Sequence, residues 1–205
     1  MDERERIEGA LTYARSAELE LNPVEGQFDA AHLQEVHRRI FQDLPHHAPG
    51  EYRPDAPGHI KGRALEHAGH RYHVHYAPRN QVDAGVESVL SELNGPEGLR
   101  SLNAEQFSGR MATLCGDLDH LHPFKEGNSR TLRIFTSQLA REAGYELSWN
   151  TTTVDAASRD RLYIARDKEV IQRAFPGLDQ ERAMKTERKY VLDIPTGMAD
   201  NSAIP

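Results

Sequence analysis

Two apolar stripes at helical spacing, joined by a turn, constrain this chain more than any other feature. Phe107, Met111, Leu114, Cys115 and Leu118 recur every three or four residues, and Leu132, Phe135 and Leu139 do so after the turn. Each set covers one helix face, so both helices must bury that face in a core. Asn103, with Gln106 three residues on, opens the first helix as a variant capping box, and Gly144 closes the second. Between the stripes runs His122-Pro123-Phe124-Lys125-Glu126-Gly127-Asn128-Ser129-Arg130-Thr131-Leu132-Arg133. The first helix thus delivers the His122 imidazole at its end. Arg130 and Arg133, three apart, share a face of the second and can reach one anion. Gly127 lets the backbone approach a ligand closely, while Asn128 and Ser129 supply turn-forming and donor groups. The helix start presents unpaired N–H groups and a positive dipole end over the turn. A base, a carboxylate that can hold a metal and paired arginines around such a turn suit a nucleotide polyphosphate.

The rest of the chain is mostly helical with one short hairpin. A helix is predicted from about 3 to 21, with Ile7, Leu11 and Ala14 on one face, broken by Asn22-Pro23 and Gly26. Asp29 is the N-cap of the next, with Phe28 stapled onto Leu33; Leu33, Val36, Ile40, Phe41 and Leu44 form its stripe and Pro45 stops it. Residues 46–79 are rich in Pro, Gly and His. Within them Tyr72, Val74 and Tyr76 alternate in the strand sense with His73 and His75, predicting a hairpin there or a pairing with the chain near Ile60. Helical spacing returns at Val82, Val86, Val89, Leu90 and Leu93, and again over about 155–175 and 179–193. The length favours one domain, taken as residues 1–194, with 195–205 a linker or frayed tail.

A net charge of −7 argues against a non-specific nucleic-acid or membrane-surface binder, since both need a cationic field. No apolar run approaches membrane-span length, and the charged start Met1-Asp2-Glu3-Arg4-Glu5 has no signal-peptide core. One cysteine, Cys115, excludes an internal disulfide and fits a reducing compartment; on an apolar helix face it reads as a core thiol. The expected location is the cytoplasm, or another cell reached without a cleaved signal. His59, His67, His70, His73 and His75 lack the cysteine or paired carboxylates of a transition-metal site and read as polar hairpin surface.

The motif resembles that of Fic-domain enzymes, His-Pro-Phe-x-Asp/Glu-Gly-Asn-Gly/Lys-Arg-x-x-Arg, and matches every fixed position except Ser129. The resemblance extends more weakly over about residues 5–175, through the 29–44 helix with His37, Gly50-Glu51-Tyr52-Arg53 and Gly144-Tyr145-Glu146-Leu147-Ser148-Trp149. Where many members carry Trp-Ala-Gly-Glu-x-Arg, this chain has His47-Ala48-Pro49 and no tryptophan. The resemblance implies a mainly all-α Fic-type core with a small β-hairpin flap. It also implies a protein adenylyltransferase, moving AMP from ATP to a Tyr, Ser or Thr hydroxyl of a target protein. His122 would be the general base and Glu126 would hold Mg²⁺. Gly127, Asn128 and Ser129 would cradle phosphate, Arg130 and Arg133 would take the outer phosphates, and Phe124 would anchor the loop. Tyr72, His73, Val74, His75 and Tyr76 would form the flap that clamps the target. Ser129 stands where adenylylating members usually have glycine and Doc-type kinases lysine; being small and uncharged, it is nearer the glycine case.

Alternatives on the same site are a Doc-like kinase or phosphocholine transfer, and, in another class, an idle Fic-like binding module. Many members are inhibited by an internal Ser/Thr-x-x-x-Glu-Gly/Asn helix. Ser16-Ala17-Glu18-Leu19-Glu20 is followed here by Leu21, and Ile7-Glu8-Gly9 has Arg4 where the hydroxyl belongs. The chain therefore resembles the type restrained by a separate small antitoxin-like protein.

Overall fold

The computed structural model describes residues 3–178, except 57, 58, 70 and 153. The predicted segments 179–193 and 195–205 lie outside the described residues. Six α-helices and one two-stranded sheet follow in the order α1 (Glu3–Leu21), α2 (Ala30–Phe41), β1 (Ile60–Ala64), β2 (Arg71–His75), α3 (Val82–Leu93), α4 (Ala104–Leu121), α5 (Asn128–Glu142) and α6 (Ala156–Ala174). The fold is mainly all-α with a small hairpin, as the sequence implies.

Helix boundaries follow their chemistry. The Asp29 carboxylate accepts the His32 N–H at 2.9 Å to open α2, and Asp155 does the same for Ser158 at 2.7 Å to open α6. At α4 the Asn103 side chain accepts from Gln106 N–H while the Gln106 side chain takes the Asn103 N–H, both at 3.0 Å. Phe28 is buried, but its ring stacks on His32 (4.3 Å) and meets Phe135 edge-on (5.5 Å), so the expected staple runs through aromatic partners.

Both apolar stripes enter one core. Phe135, Leu139, Val36, Val82, Val86 and Leu99 are fully buried there with Leu114 and Leu118. Helix α4 packs on α3, α5 and α6, and α5 on α1 and α2, so the turn between α4 and α5 is gripped from several sides. Strand β1 pairs antiparallel with β2, Gly62 opposite His73, which settles the hairpin partner as the chain from Ile60. Tyr72, Val74 and Tyr76 join Leu65, Val170 and Ile171 in a second core against α6. The Asp160 carboxylate of α6 accepts the N–H groups of Glu66, His67 and Ala68 at 2.8–2.9 Å, fastening the hairpin loop. Tyr72 O–H and the Arg63 guanidinium both donate to Asp167 at 2.7 Å, fastening the strands.

Burial holds several histidines below their ordinary value: His37, His59 and His120 down to about 4, with His32, His75 and His122 also lowered. Unfolding frees them to protonate near pH 6.5, so between that pH and about 4 the unfolded chain binds more protons. Their stabilisation is complete above pH 6.5 and is lost as pH falls. The thermal midpoint is expected to drop from pH 7 to 5, by roughly 2–4 °C for each kcal/mol lost. His120→Asn should flatten that slope; a midpoint constant across the range in the parent would contradict the account.

Candidate active site

The site begins at the C-terminus of α4. His122 closes the helix in the left-handed region, φ 45° and ψ 57°, its N–H bonded to the Leu118 carbonyl at 3.0 Å. That backbone costs a non-glycine residue about 1 kcal/mol or more, and Arg53 offsets it. The Arg53 guanidinium is buried and donates to the carbonyls of His122 (2.9 Å), Leu121 (3.4 Å) and Ala77, while its own N–H bonds to Pro123 O at 2.8 Å. These are carbonyls that a helix end and a strand end leave unpaired. The His122 ring lies 3.9 Å from the Tyr76 ring and 5.0 Å from His59, and among the described residues neither ring nitrogen has a hydrogen-bond partner. Burial first, then the positive field of Lys61, His59, Arg53 and Arg166, pushes its pKa well below 6.5. It is therefore a neutral imidazole at pH 7, as a general base must be.

The turn after it is rigid by construction. Phe124 is buried and stacks flat on His37, 3.9 Å between centroids. His37 Nδ1 accepts the Gly50 N–H at 2.9 Å, which leaves Nε2–H to donate to the Glu126 carbonyl at 3.1 Å. The Asn128 side chain accepts from Phe124 N–H at 2.8 Å and donates to Phe124 O at 2.6 Å. Its amide therefore latches the loop, leaving only its backbone N–H for an anion. Gly127 has φ 78° and lies against Phe41, where a Cβ would come within 2.1 Å of Cε2. The Gly127 N–H meets the Glu126 carboxylate at 3.0 Å, so the cradle already accepts an anionic group.

Cations gather around the start of α5. Arg130 and Arg133 both line a cavity of about 500 Å³ between α1, α5 and the 146–150 segment. Arg130 sits over the Phe41 ring at 5.7 Å, and neither guanidinium has an ion-pair partner among the described residues. Burial, then Arg166 and Arg130, lower the pKa of Arg133, the sign of a cation in want of an anion. Arg166 of α6 is bidentate with buried Asp119 and donates to Ser129 Oγ at 2.8 Å. Lys61 of β1 holds its Nζ 3.8 Å from Glu126 Oε2. The sequence-predicted residues thus divide: Arg130 and Arg133 share the cavity, Glu126, Gly127 and Ser129 form the turn beside it, and His122 lies under the hairpin, off that cavity's wall. Tyr72, Val74 and Tyr76, expected on the target-clamping flap, have core side chains; along the two strands Ile60, Gly62 and Ala64 of β1 and Arg71 of β2 are exposed, with His73 and His75 half-exposed.

Comparison with known proteins agrees with this geometry. The profile of the Fic/DOC family matches residues 27–140, more than half of the chain. This chain belongs to the Fic/DOC family. It is 36% identical over 146 residues to the protein adenylyltransferase VbhT of Bartonella schoenbuchensis, covering 71% of this chain and 28% of that protein. It is 30% identical over 151 residues to the probable protein adenylyltransferase Fic of Escherichia coli, covering 72% and 68%. The chain thus spans under a third of the first relative's length and about two thirds of the second's. Among solved structures, the N-terminal Fic domain of a Bartonella quintana effector with bound ADP superposes with a TM-score of 0.63 at 22% identity, over 92% of this chain and 87% of that one. The BepC protein of Bartonella tribocorum with bound AMPPNP gives 0.58 at 19%, over 78% and 83%. At those identities the likeness is one of fold.

Sequence reasoning for this Fic chain passed over Lys61, His59, Asp119 and Arg166 as site residues, and noted Arg53 only as part of a pattern. Each comes from an element distant in sequence, so no local spacing marks it. Asp119, three residues before His122 on the motif helix, was the nearest available signal. For the turn, Gly127→Ala is expected to be severe, since the left-handed backbone and Phe41 both oppose a methyl group. Stability should fall by about 1–3 kcal/mol from strain and overpacking, with nucleotide binding lost, as read by thermal unfolding with and without ATP. Unchanged ATP binding in G127A would refute the close-packed cradle.

Proposed function

We propose that this Fic domain is a protein adenylyltransferase, transferring AMP from ATP to a Tyr, Ser or Thr hydroxyl of a target protein. The observation that carries the reading is the pairing of a buried, neutral His122 with Arg130 and Arg133 at a helix N-terminus, the imidazole without a hydrogen-bond partner and the guanidiniums without a carboxylate partner among the described residues. The names of the relatives and the nucleotides bound in the similar structures support it.

His122 takes the proton of the target hydroxyl; that oxygen attacks the α-phosphorus, the bond from the α-phosphorus to the bridging oxygen breaks, and pyrophosphate departs with the electron pair. Charge growing on the phosphate oxygens meets the backbone N–H groups of Gly127, Asn128 and Ser129, while Arg130 and Arg133 take the outer phosphates. Phe124, stacked on His37, keeps the turn in register. Glu126 is a half-exposed carboxylate at the mouth of the turn, and one carboxylate shared with phosphate oxygens and water is a donor set that Mg²⁺ accepts. Bound there, Mg²⁺ would neutralise phosphate charge. Ser129 Oγ, already taken by Arg166, brings no cation of its own, which favours AMP transfer over a Doc-like kinase reaction. Strand addition by the target falls to the hairpin, which exposes residues of both strands. The catalytic unit is residues 1–194, with 195–205 a tail. It acts in the cytoplasm, its own or that of a cell it is delivered into; among the described residues no helix is long and apolar enough to cross a membrane.

A small inhibitory protein is the expected partner, offering a glutamate to Arg133 through the cavity walled by Gly9, Thr12, Tyr13, Ser16 and Glu20 of α1. Glu8 is engaged by His46, His47 and Arg4, and Glu20 makes no ion pair with Arg133 among the described residues. Glu20→Gly should therefore leave the rate unchanged, and a large rise would mean that the chain inhibits itself.

Incubation with a cell lysate and ATP labelled at the α- or γ-phosphate separates the functions. Label retained from the α position alone is expected, with His122→Ala lowering it by roughly 10²–10⁴-fold. Label from γ alone makes the protein a kinase. Label from neither, in the parent as in H122A, leaves a binding module.

A further inference from the structure

We propose that Glu8, His46 and His47 form a binding site for a divalent transition-metal ion of the zinc type, joining α1 to the corner that follows α2. The three residues lie outside the nucleotide site, and their ligand atoms fall within 4.8 Å of one another. His46 Nε2 is 2.9 Å from Glu8 Oε1, and His47 Nε2 is 3.0 Å from Glu8 Oε2. Two ligands about 2.1 Å from a tetrahedral zinc ion stand roughly 3.4 Å apart, so small side-chain shifts admit the ion. Two imidazoles and a carboxylate are a donor set that zinc takes, with water in the fourth position.

The backbone prepares the pair. His46 and His47 are consecutive, and neighbours in sequence normally diverge. Here Pro45–His47 makes a tight 3₁₀ turn, closed by Ala48 in the left-handed region (φ 50°) with its N–H on Pro45 O. The imidazole centroids come within 4.1 Å as a result. The His47 ring is fixed edge-on to Phe41 at 5.3 Å, so one ligand is already oriented. Glu8 projects from α1 with both carboxylate oxygens turned to the two imidazoles. A metal-bound imidazole turns its Nε2 lone pair to the ion and carries its single proton on Nδ1, so a proton held on Nε2 beforehand moves to Nδ1 or is released to solvent.

The consequence is mechanical. Glu8 immediately precedes Gly9, the start of the α1 wall of the arginine-lined cavity. His47 leans on Phe41, and Phe41 supports Gly127. An ion here ties the cavity wall to the phosphate cradle through three contacts.

The test uses the full chain, stripped with a chelator and titrated with zinc chloride by calorimetry, with the thermal midpoint read in parallel. One equivalent is expected to bind and raise the midpoint, reversibly with EDTA. Glu8→Gln and His46→Ala should each weaken that binding at least about tenfold and cancel the rise. His46 is exposed at the surface, so H46A folds even if E8Q does not, and circular dichroism checks both. No bound equivalent in the parent overturns the proposal, and so does one equivalent retained at full affinity in H46A, which would move the metal to the hairpin histidines.

Discussion

Arg53 is the residue on which the site depends. A guanidinium inside a protein is tolerable only if its donors are met, and the groups that meet it here are all backbone carbonyls. They come from the last residues of α4, from His122, and from Ala77 just beyond β2, so one side chain binds the motif helix to the hairpin exit. Because no carboxylate shares the work, the positive charge stays uncancelled, and burial lowers the pKa of Arg53 to about 10. That charge lies beside His122, where it opposes protonation. Burial does most to keep the His122 imidazole neutral, and the clamp that bends the chain there adds to it.

The same economy governs the start of α5. The chain as a whole is acidic, yet Arg53, Lys61, Arg130, Arg133 and Arg166 converge on one region. Among the described residues only Arg166 has a bidentate counter-charge, the Asp119 carboxylate, while Lys61 meets Glu126 at 3.8 Å. Cations crowded without partners are a cost in the free protein. A polyanion relieves that cost, so part of the ligand's affinity is repulsion already present in the fold. The Glu126 carboxylate at the Gly127 N–H shows how the loop meets an anion in the meantime.

How far the sequence was legible follows from the range of each interaction. Caps at Asp29 and Asn103, the stripes on α2, α3, α4 and α5, the bounds of α1 and the approximate start of α6 are local, and local residue patterns located them. The motif was legible because its residues are consecutive. The hairpin was legible in β2, whose Tyr72, Val74 and Tyr76 alternate, but not in the facing of that strand: alternation says that one face is buried, not which neighbour buries it, and α6 proved to be the cover. The groups that shape the chemistry from outside the motif, Arg53, Lys61, Asp119 and Arg166, are ordinary charged residues until the fold brings them together. The Glu8, His46 and His47 group has the same character, since 38 residues separate its first two members.

Ser129 shows how one departure from the family pattern is absorbed by its surroundings. A serine at the second turn-facing position of α5 would otherwise direct a free hydroxyl toward the phosphates. Here Oγ accepts a hydrogen bond from Arg166, which Asp119 orients from the motif helix and which is itself carried on α6. The hydroxyl is spent, and at the turn the residue offers little more than its backbone N–H, as glycine would. The cost is a new dependence: the position of α6 now bears on the phosphate cradle. Since α6 also holds the hairpin, through Asp160 and Asp167, the two strands and the turn between α4 and α5 rest on the same helix. A displacement of α6 large enough to free the hairpin must therefore also disturb Ser129.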